Sequence, residues 1–571
     1  MITDNKPDYR QAAKWVSFFS NNLLTVFAAL NVLLLVFFTQ LLEINSFTEI
    51  SRVYTLLTIY LLMINYISGV IAEKSTLISL RLRIPDTIII LLGLVFSSQP
   101  SIFQLLLIGR QGIIMFLRIS RHYSPLQRFK NLSDNAAIFV LLSFLITITI
   151  GTLLLLLPIS TVEGESTNLV GALFTSTSAT CVTGLIVYDT GTHFTLFGQI
   201  IILILIQIGG LGIMTISTSF AILTGQRLSF RGESIMQNVI NEHSRFDMVR
   251  LIKNIVIVTL LFEFIGALML FSAFSGHYDT TANALYSSVF HSISAFCNAG
   301  FSLNPDSFTA YRSHVGVNIT MMMLIILGGL GFSVLVDLKK NLIDKRRPTR
   351  FSLHTKLVLI TTVALILLGF VLYFISEFNY SMEDYRLKDR VLGSLFQSVT
   401  ARTAGFNTSD TSQLSNTSVF ISLILMYIGA SPGSTGGGIK TTSFAVIILS
   451  VIAILSSNKD VIVFKRKISD ILIRRVMALI AISILLIFIV IFILMLIEPF
   501  TFEHIVFEVF SAFGTVGLSM GITPYLSETG RVLIVLLMYF GRIGPLTFIF
   551  ALSRARIQSD YLYSEEKISV G

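Results

Sequence analysis

Long apolar runs separated by short polar stretches dominate the chain. Four runs precede residue 130, at roughly 22–43, 53–72, 85–98 and 103–119. Eight clearer runs follow, at 137–158, 198–219, 254–275, 317–336, 357–376, 418–452, 476–497 and 532–552. A helix of about 20 apolar residues is long enough to cross the hydrocarbon core of a bilayer. The pattern predicts an all-α membrane protein with about four extra N-terminal helices.

Between the members of each later pair of runs lies a Ser/Thr-rich stretch that is too short to cross a bilayer. The four stretches read LFTSTSATCVTGL, VFHSISAFCNAGF, LFQSVTARTAGF and VFEVFSAFGTVGL. Each predicts a half-helix followed by a glycine, at Gly184, Gly300, Gly405 and Gly517. A second glycine follows 24 to 28 residues later, at Gly209, Gly328, Gly429 and Gly541. Two landmarks at near-constant separation predict a fourfold repeat of span, half-helix, glycine turn and span.

The landmarks divide the chain into units. We place repeat 1 at 135–225, repeat 2 at 250–338, repeat 3 at 355–456 and repeat 4 at 472–556. An N-terminal helical region at 1–134 precedes them, and a tail at 557–571 follows.

A half-helix that ends inside the membrane leaves backbone carbonyl groups unpaired. Such a segment is tolerated only where it is buried in protein or lines a watery cavity. Four of them around one axis offer a ring of carbonyl oxygens, which is the chemistry that replaces the hydration shell of an alkali cation. The alternative is that the glycines only pack helices together, as they often do in membranes. Four copies, each after a Ser/Thr-rich half-helix, favour the ion filter.

Composition and charge exclude other classes of protein. Hydrophobic residues make up 53% of the 571 residues and charged residues only 13%, with a mean hydropathy of +0.80. Soluble proteins carry roughly a quarter charged residues, so a soluble globular protein, a disordered chain and a nucleic-acid binder are excluded. The net charge of +9 reflects Lys and Arg in the connections 118–130, 225–253, 337–356 and 456–475. The positive-inside rule places these connections in the cytoplasm, so the half-helices enter from outside.

Two smaller features complete this picture. The polar, mixed-charge first 15 residues lead us to expect no cleavable signal. The two cysteines, Cys181 and Cys297, do not make a disulfide framework, and we expect no disulfide between them.

The four glycine loops, with GASPGSTGGGIKTT at 429–442 and FGRIGPLT at 540–547, resemble the Trk/Ktr/HKT superfamily of potassium translocation proteins. The nearest match is the KtrB/TrkH type of membrane subunit, over roughly 135–560. The resemblance implies four M1–P–M2 units around one central pore, a homodimer, and a cytosolic nucleotide-binding ring of the RCK/KTN type that gates the pore. It implies K⁺ as the transported ion in the plasma (inner) membrane. Plant relatives that favour Na⁺ tend to carry Ser where this chain has Gly184.

The resemblance also names a filter of three residues in each repeat. They are Val182, Thr183 and Gly184; Asn298, Ala299 and Gly300; Thr403, Ala404 and Gly405; and Thr515, Val516 and Gly517. Na⁺ permeation, or weak selectivity, through the same fold is the alternative function. No nucleotide site appears in the chain, and we expect membrane lipid but no nucleic acid as a partner.

The run 418–452 is too long for one straight crossing, and residues 429–442 hold five glycines and a proline. Such a segment cannot stay helical. The resemblance makes it an intramembrane gating loop, whose residues are Gly433, Ser434, Thr435, Gly436, Gly437, Gly438 and Lys440. The alternative is a helix break that serves packing.

Arg542 lies within the apolar run 532–552, where a charge is costly and indicates function. It takes the place of Gly210, Gly329 and Ala430 in the other repeats. We therefore expect Arg542 to face the pore below the filter and to repel cations. The alternative is a structural salt bridge with Glu263.

Two motifs of other protein classes occur in the same stretch. GASPG matches the G-x-S-x-G pattern of serine nucleophiles, which makes an intramembrane serine protease a remote alternative, but no strand precedes Ser431 to form the elbow. GSTGGGIKT nearly matches a P-loop, but Ile439 stands where lysine is required. We predict no enzymatic activity.

The N-terminal region offers a further alternative, a voltage-sensor-like bundle. Its candidate charges, Arg110, Arg118 and Arg121, are spaced by eight and three residues rather than by three throughout. A voltage sensor needs a regular row of basic residues. Packing or partner docking is the favoured role of this region.

Overall fold

A computed structural model describes residues 136–212, 245–342 and 351–544, together with a few positions between 16 and 68. The chain divides into two compact units, Met1–Lys130 and Asn131–Gly571. In the first unit, Asn65 Nδ2 donates a hydrogen bond of 3.0 Å to Ser20 Oγ. The predicted helices at 85–98 and 103–119, with the arginines of the voltage-sensor alternative, lie outside the described residues.

The second unit is built from helices in a recurring order. Its described helices are α1 (Ala136–Leu155), α2 (Leu169–Thr180), α3 (Leu196–Leu211), α4 (Arg245–Phe274), α5 (Thr281–Phe296), α6 (Val315–Leu330), α7 (Phe332–Leu342), α8 (Leu353–Glu377), α9 (Leu387–Thr400), α10 (Asn416–Tyr427), α11 (Thr441–Leu455), α12 (Asp470–Ile497), α13 (Phe502–Gly514) and α14 (Glu528–Ile543). Short 3₁₀ turns lie at Pro158–Ser160, Thr309–Tyr311, Thr411–Gln413 and Thr523–Tyr525. Two strands, β1 (Ile462–Val463) and β2 (Arg466–Lys467), form an antiparallel hairpin.

Three described helices are long and apolar enough to cross a membrane: Asn254–Phe274, Leu353–Glu377 and Asp470–Ile497. Only about a third of the apolar window in each is buried, so the rest of the surface faces outward, as lipid contact requires. In the shorter apolar helix α1, the exposed Thr149 Oγ1 donates to Leu145 O of its own helix at 2.8 Å. This satisfies polar groups where no water is present. The prediction of an all-α membrane protein is confirmed.

The second helix of each pair is shorter than its apolar run predicts. α3 stops before Gly212, α6 before Gly331 and α14 before Gly544, and these three glycines have φ of 75°, 92° and 90°. A positive φ of this kind ends a right-handed helix. The prediction of one continuous span at 317–336 is wrong, because α6 and α7 meet at an angle of 99°. At this bend a β-carbon on residue 331 would lie 2.6 Å from Pro432 O.

The short helices α2, α5, α9 and α13 are almost completely buried in their inner halves. In three repeats a serine of the short helix donates to a carbonyl of the preceding long helix, next to a glycine that gives it room. The bonds are Ser176 Oγ to Ile148 O at 2.8 Å, Ser292 Oγ to Glu263 O at 2.6 Å, and Ser398 Oγ to Ile366 O at 2.8 Å. The long helices thereby hold the short helices in place.

Candidate filter and intramembrane gate

The segment after each short helix has an unusual backbone. The first predicted filter residue of every repeat has a positive φ, at Val182 (57°), Asn298 (58°), Thr403 (72°) and Thr515 (51°). The filter glycine two residues later is also positive, at Gly184 (91°), Gly300 (73°), Gly405 (79°) and Gly517 (92°). A side chain in this region costs about 1 kcal/mol or more. Four separate segments with the same costly conformation indicate a shared structural requirement.

The four glycines close a ring. Each lies against the carbonyl of the residue that precedes the glycine of the next repeat. The pairs are Gly184 with Ala299, Gly300 with Ala404, Gly405 with Val516, and Gly517 with Thr183. A β-carbon on residue 184 would lie 2.5 Å from Ala299 O, and one on residue 405 would lie 2.5 Å from Val516 O. The repeats therefore follow one another around an axis, with repeats 1 and 3 opposite, and repeats 2 and 4 opposite.

A hydroxyl group on each short helix holds the backbone around the glycine. In repeat 1, Gly184 N donates to Ser178 Oγ at 3.1 Å, and this hydroxyl donates to Leu185 O at 2.7 Å. The corresponding bonds are Ser294 Oγ to Phe301 O at 2.7 Å, Thr400 Oγ1 to Phe406 O at 2.5 Å, and Gly517 N to Ser511 Oγ at 3.1 Å. Sequence reasoning missed these anchors. The signal is a hydroxyl six residues before the glycine, or five in repeat 3.

The glycine-rich loop of repeat 3 lies at the end of the ring where the filter segments begin. α10 ends at Tyr427 and α11 starts at Thr441, so the prediction that this run cannot remain one helix agrees with the structure. The loop has a closed stem, since Gly429 N donates to Ile439 O at 2.9 Å and Ile439 N donates to Tyr427 O at 3.2 Å.

The loop is bonded to other repeats. Ser431 N donates to Gly329 O at 3.0 Å, and Phe332 N donates to Gly433 O at 3.0 Å, which ties the loop to repeat 2. Gly437 N donates to Thr515 Oγ1 at 3.0 Å, which ties the loop to the first predicted filter residue of repeat 4. A β-carbon on Gly436 would collide with Thr403 Oγ1. The loop therefore lies directly against the predicted filter segments of repeats 3 and 4.

Two cations contact this loop. Lys440 Nζ donates to Gly436 O at 2.7 Å. The Arg542 guanidinium donates to Thr435 O in the loop and to Gly209 O in repeat 1. Arg542 thus bridges the loop, α14 and α3.

The salt bridge considered between Arg542 and Glu263 does not form. Glu263 instead accepts from Gln207 Nε2 at 3.2 Å and lies 3.9 Å from Cys297 Sγ. Arg542 instead donates to the Gly209 carbonyl in the last turn of α3 and to the Thr435 carbonyl of the loop, and these acceptors satisfy its guanidinium. Among the described residues, no carboxylate forms an ion pair with Arg542 or Lys440.

The remaining candidates in this stretch have ordinary surroundings. Ser431 is fully buried, and its hydroxyl accepts from Thr441 Oγ1 at 3.0 Å. No histidine of the described chain is hydrogen-bonded to Ser431, and the loop is preceded by helix α10. Cys181 and Cys297 are free thiols.

These features define a class of protein: a multi-pass helical membrane protein with a ring of four backbone segments at its centre and a loop packed against one end of the ring. The family model described as TrkH, cation transport protein, matches residues 113–562, and the chain belongs to this family. The predicted membership is confirmed.

Individual relatives agree with this assignment. The chain is 42% identical to the Ktr system potassium uptake protein B of Bacillus subtilis over 432 residues, covering 75% of this chain and 95% of that protein. It is 36% identical to the potassium/sodium uptake protein NtpJ of Enterococcus hirae over 465 residues, covering 80% and 100%. The crystal structure of the potassium transporter TrkH from Vibrio parahaemolyticus matches the fold with a TM-score of 0.59 at 16% identity, over 89% of this chain and 98% of that chain.

Proposed function

We propose that this chain is the membrane subunit of a potassium uptake system and moves K⁺ through one pore in each chain. The observation that carries the proposal is the closed ring of Gly184, Gly300, Gly405 and Gly517. Backbone carbonyls of the twelve predicted filter residues replace the hydration shell of the ion. The similarity to the Bacillus subtilis potassium uptake protein supports K⁺ as the substrate.

The loop 428–440 and Arg542 act as the gate in this proposal. The loop obstructs the pathway beneath the filter, and the Arg542 charge opposes a cation that approaches through the low-dielectric interior. The hydrogen bond from Arg542 to Thr435 O of the loop supports one gate made of both elements rather than two independent obstacles. Because the loop contains four glycines between Gly433 and Gly438, it can move at low strain.

The proposal extends to the setting of the pore. The chain forms a homodimer in the plasma membrane, with its basic connections in the cytoplasm. A cytosolic nucleotide-binding ring docks on these connections and controls the gate. The support is the resemblance in sequence and the basic residues Lys339 and Lys340 in the last turn of α7. Electrostatic complementarity would bring an acidic surface of the ring to these residues.

The test is ion flux into liposomes that contain the purified full-length protein, with K⁺ or Na⁺ as the permeant ion. Faster K⁺ than Na⁺ flux supports the proposal. Equal fluxes would support the weakly selective alternative, which the name of the Enterococcus hirae relative makes the appropriate second candidate. Absence of flux from correctly folded protein, with its regulatory partner added, would refute ion conduction.

A further inference from the structure

Each short helix carries a polar residue directly after a buried phenylalanine, eight or nine residues before the predicted filter glycine of its repeat. These residues are Thr175, His291, Gln397 and Glu508. All four are at least 98% buried. His291 and Glu508 are titratable, and neither belongs to the filter or the gate as described above. A buried ionisable side chain in a membrane segment is costly, which calls for a specific use.

Glu508 binds the chain where it leaves the filter of repeat 4. Ser519 Oγ donates to Glu508 Oε2 at 2.8 Å, and Thr523 Oγ1 donates to Oε1. Ser519 is the second residue after Gly517. The Ser519 carbonyl in turn accepts from Thr411 Oγ1 of repeat 3. The carboxyl group therefore ties the short helix α13 to the segment that follows the filter.

His291 makes the equivalent tie in repeat 2. Leu303 N donates to Nε2 at 3.2 Å, and Ser302 Oγ lies 3.1 Å from the same nitrogen. Since Nε2 accepts, the ring proton is assigned to Nδ1, which donates to Ser287 O at 2.8 Å. Ser302 is the second residue after Gly300, as Ser519 is after Gly517. An imidazole and a carboxyl group thus bind the same position of the exit segment in two repeats.

Repeats 1 and 3 differ at this point. Thr175 Oγ1 donates to Gly171 O within its own helix at 3.0 Å. Within the part of the chain that the structure describes, neither Thr175 nor Gln397 is hydrogen-bonded to the segment that follows its filter glycine. Because repeats 2 and 4 are opposite each other in the ring, the two titratable ties hold the outer end of the filter from opposite sides.

We propose that Glu508 and His291 are positioning residues that fix the outer end of the filter and thereby set its discrimination between K⁺ and Na⁺. The inference rests on the proposed function and adds the residues that support its selectivity. A ring of carbonyls rejects the smaller ion only while its members keep their spacing. Without the tie at Ser519, the segment after Gly517 gains freedom, and the ring can contract around Na⁺.

The experiment measures the K⁺/Na⁺ permeability ratio of full-length protein in liposomes, beside the thermal unfolding temperature of each variant. Glu508→Leu removes both acceptor oxygens, and we expect the ratio to fall about tenfold, because the Ser519 and Thr523 hydroxyls lose the carboxylate that ties them to α13. Glu508→Gln keeps one acceptor oxygen, and the serine and threonine hydroxyls can rotate to accept from its amide. We expect this conservative variant to retain most of the ratio.

Glu498→Leu is the matched control. Glu498 is also buried and in repeat 4, and it accepts from Ser527 N at 3.0 Å and Ser527 Oγ at 2.5 Å at the start of α14. Its loss should lower the unfolding temperature and leave the ratio unchanged. Ser519→Ala removes the hydroxyl that donates to Glu508, and His291→Leu removes the second tie. Each variant should lower the permeability ratio, even where Glu508→Leu does not fold.

The outcomes separate this inference from the proposed function. If the unaltered protein selects K⁺ and the folded Ser519→Ala and His291→Leu variants select it equally well, the inference is wrong and the function stands. An equal fall of the ratio in Glu498→Leu also overturns the inference, since the effect would then be general loosening of the fold. An unaltered protein that conducts no K⁺ refutes both.

Discussion

Gly184→Ser places a side chain in the tightest part of the predicted filter. The new β-carbon would lie 2.5 Å from Ala299 O and 3.0 Å from the Cα of Gly300, and real β-carbons essentially never approach closer than 3.0 Å. The two segments must therefore separate by at least about 0.5 Å, and a binding site whose geometry departs from its productive form by more than about 0.5 Å loses function. We expect the K⁺/Na⁺ permeability ratio to fall by about tenfold, equivalent to about 1.4 kcal/mol of lost discrimination.

The backbone strain of the substitution is controlled separately. Gly521 has the same φ of 91° as Gly184, but a β-carbon there would meet no atom within 4 Å. Gly521→Ser therefore carries the left-handed strain of about 1 kcal/mol without the collision. The assay is K⁺ and Na⁺ flux in liposomes, with thermal unfolding of both variants. An unchanged ratio in folded Gly184→Ser, or an equal loss in Gly521→Ser, would refute the steric reasoning.

Further predictions concern the gate, the hydroxyl anchor of repeat 1 and a histidine in the loop before α3. Deleting 434–438 or replacing Arg542 by Ala should raise ion flux in liposomes without the regulator. For Arg542→Ala the rise should exceed about tenfold, because a charge ~8 Å away at an effective dielectric of ~20 would oppose the ion by about 2 kcal/mol. The double variant should gain less than the product of the two single gains, and reduced flux in both folded variants would contradict the gate. Ser178→Ala should lower the free energy of unfolding by about 1–2 kcal/mol, because Gly184 N loses its buried acceptor. Denaturant titration measures this change, and an unchanged denaturation midpoint would show that the anchor is dispensable. In the loop before α3, the His193 ring stacks on Tyr188 with 4.3 Å between the ring centroids, and burial lowers the pKa of His193 although nearby carboxylates act in the opposite direction. The unfolded chain therefore binds more protons than the folded chain near pH 6.5. The unfolding temperature should fall as the pH drops below that value, and it should fall less in His193→Gln.

Local pattern alone determined the class of protein and the positions of its four glycine turns. Apolar runs of membrane length mark the helices because a backbone in lipid has no other way to satisfy its hydrogen bonds. The sequence marks the four glycines, Gly184, Gly300, Gly405 and Gly517, because a backbone with positive φ strongly favours a residue without a β-carbon. Each position shows this preference independently of the rest of the chain. The sequence also marks the break of 418–452, from its glycines, which disfavour a helix, and from Pro432, which lacks the backbone N–H that a helix needs.

Tertiary structure decided what depends on neighbours distant in the chain. The bend at Gly331 was not predicted, because the run 317–336 has the length and hydropathy of one span and only the loop carbonyls that pack there reveal the break. Arg542 could be placed near the axis from its alignment with Gly210, but its partners Thr435 and Gly209 come from two other repeats. His291 and Glu508 each follow a phenylalanine and lie nine residues before the glycine of their repeat, but an imidazole and a carboxyl group do not suggest a common role. Only the folded chain shows that both accept hydrogen bonds from the segment after that glycine.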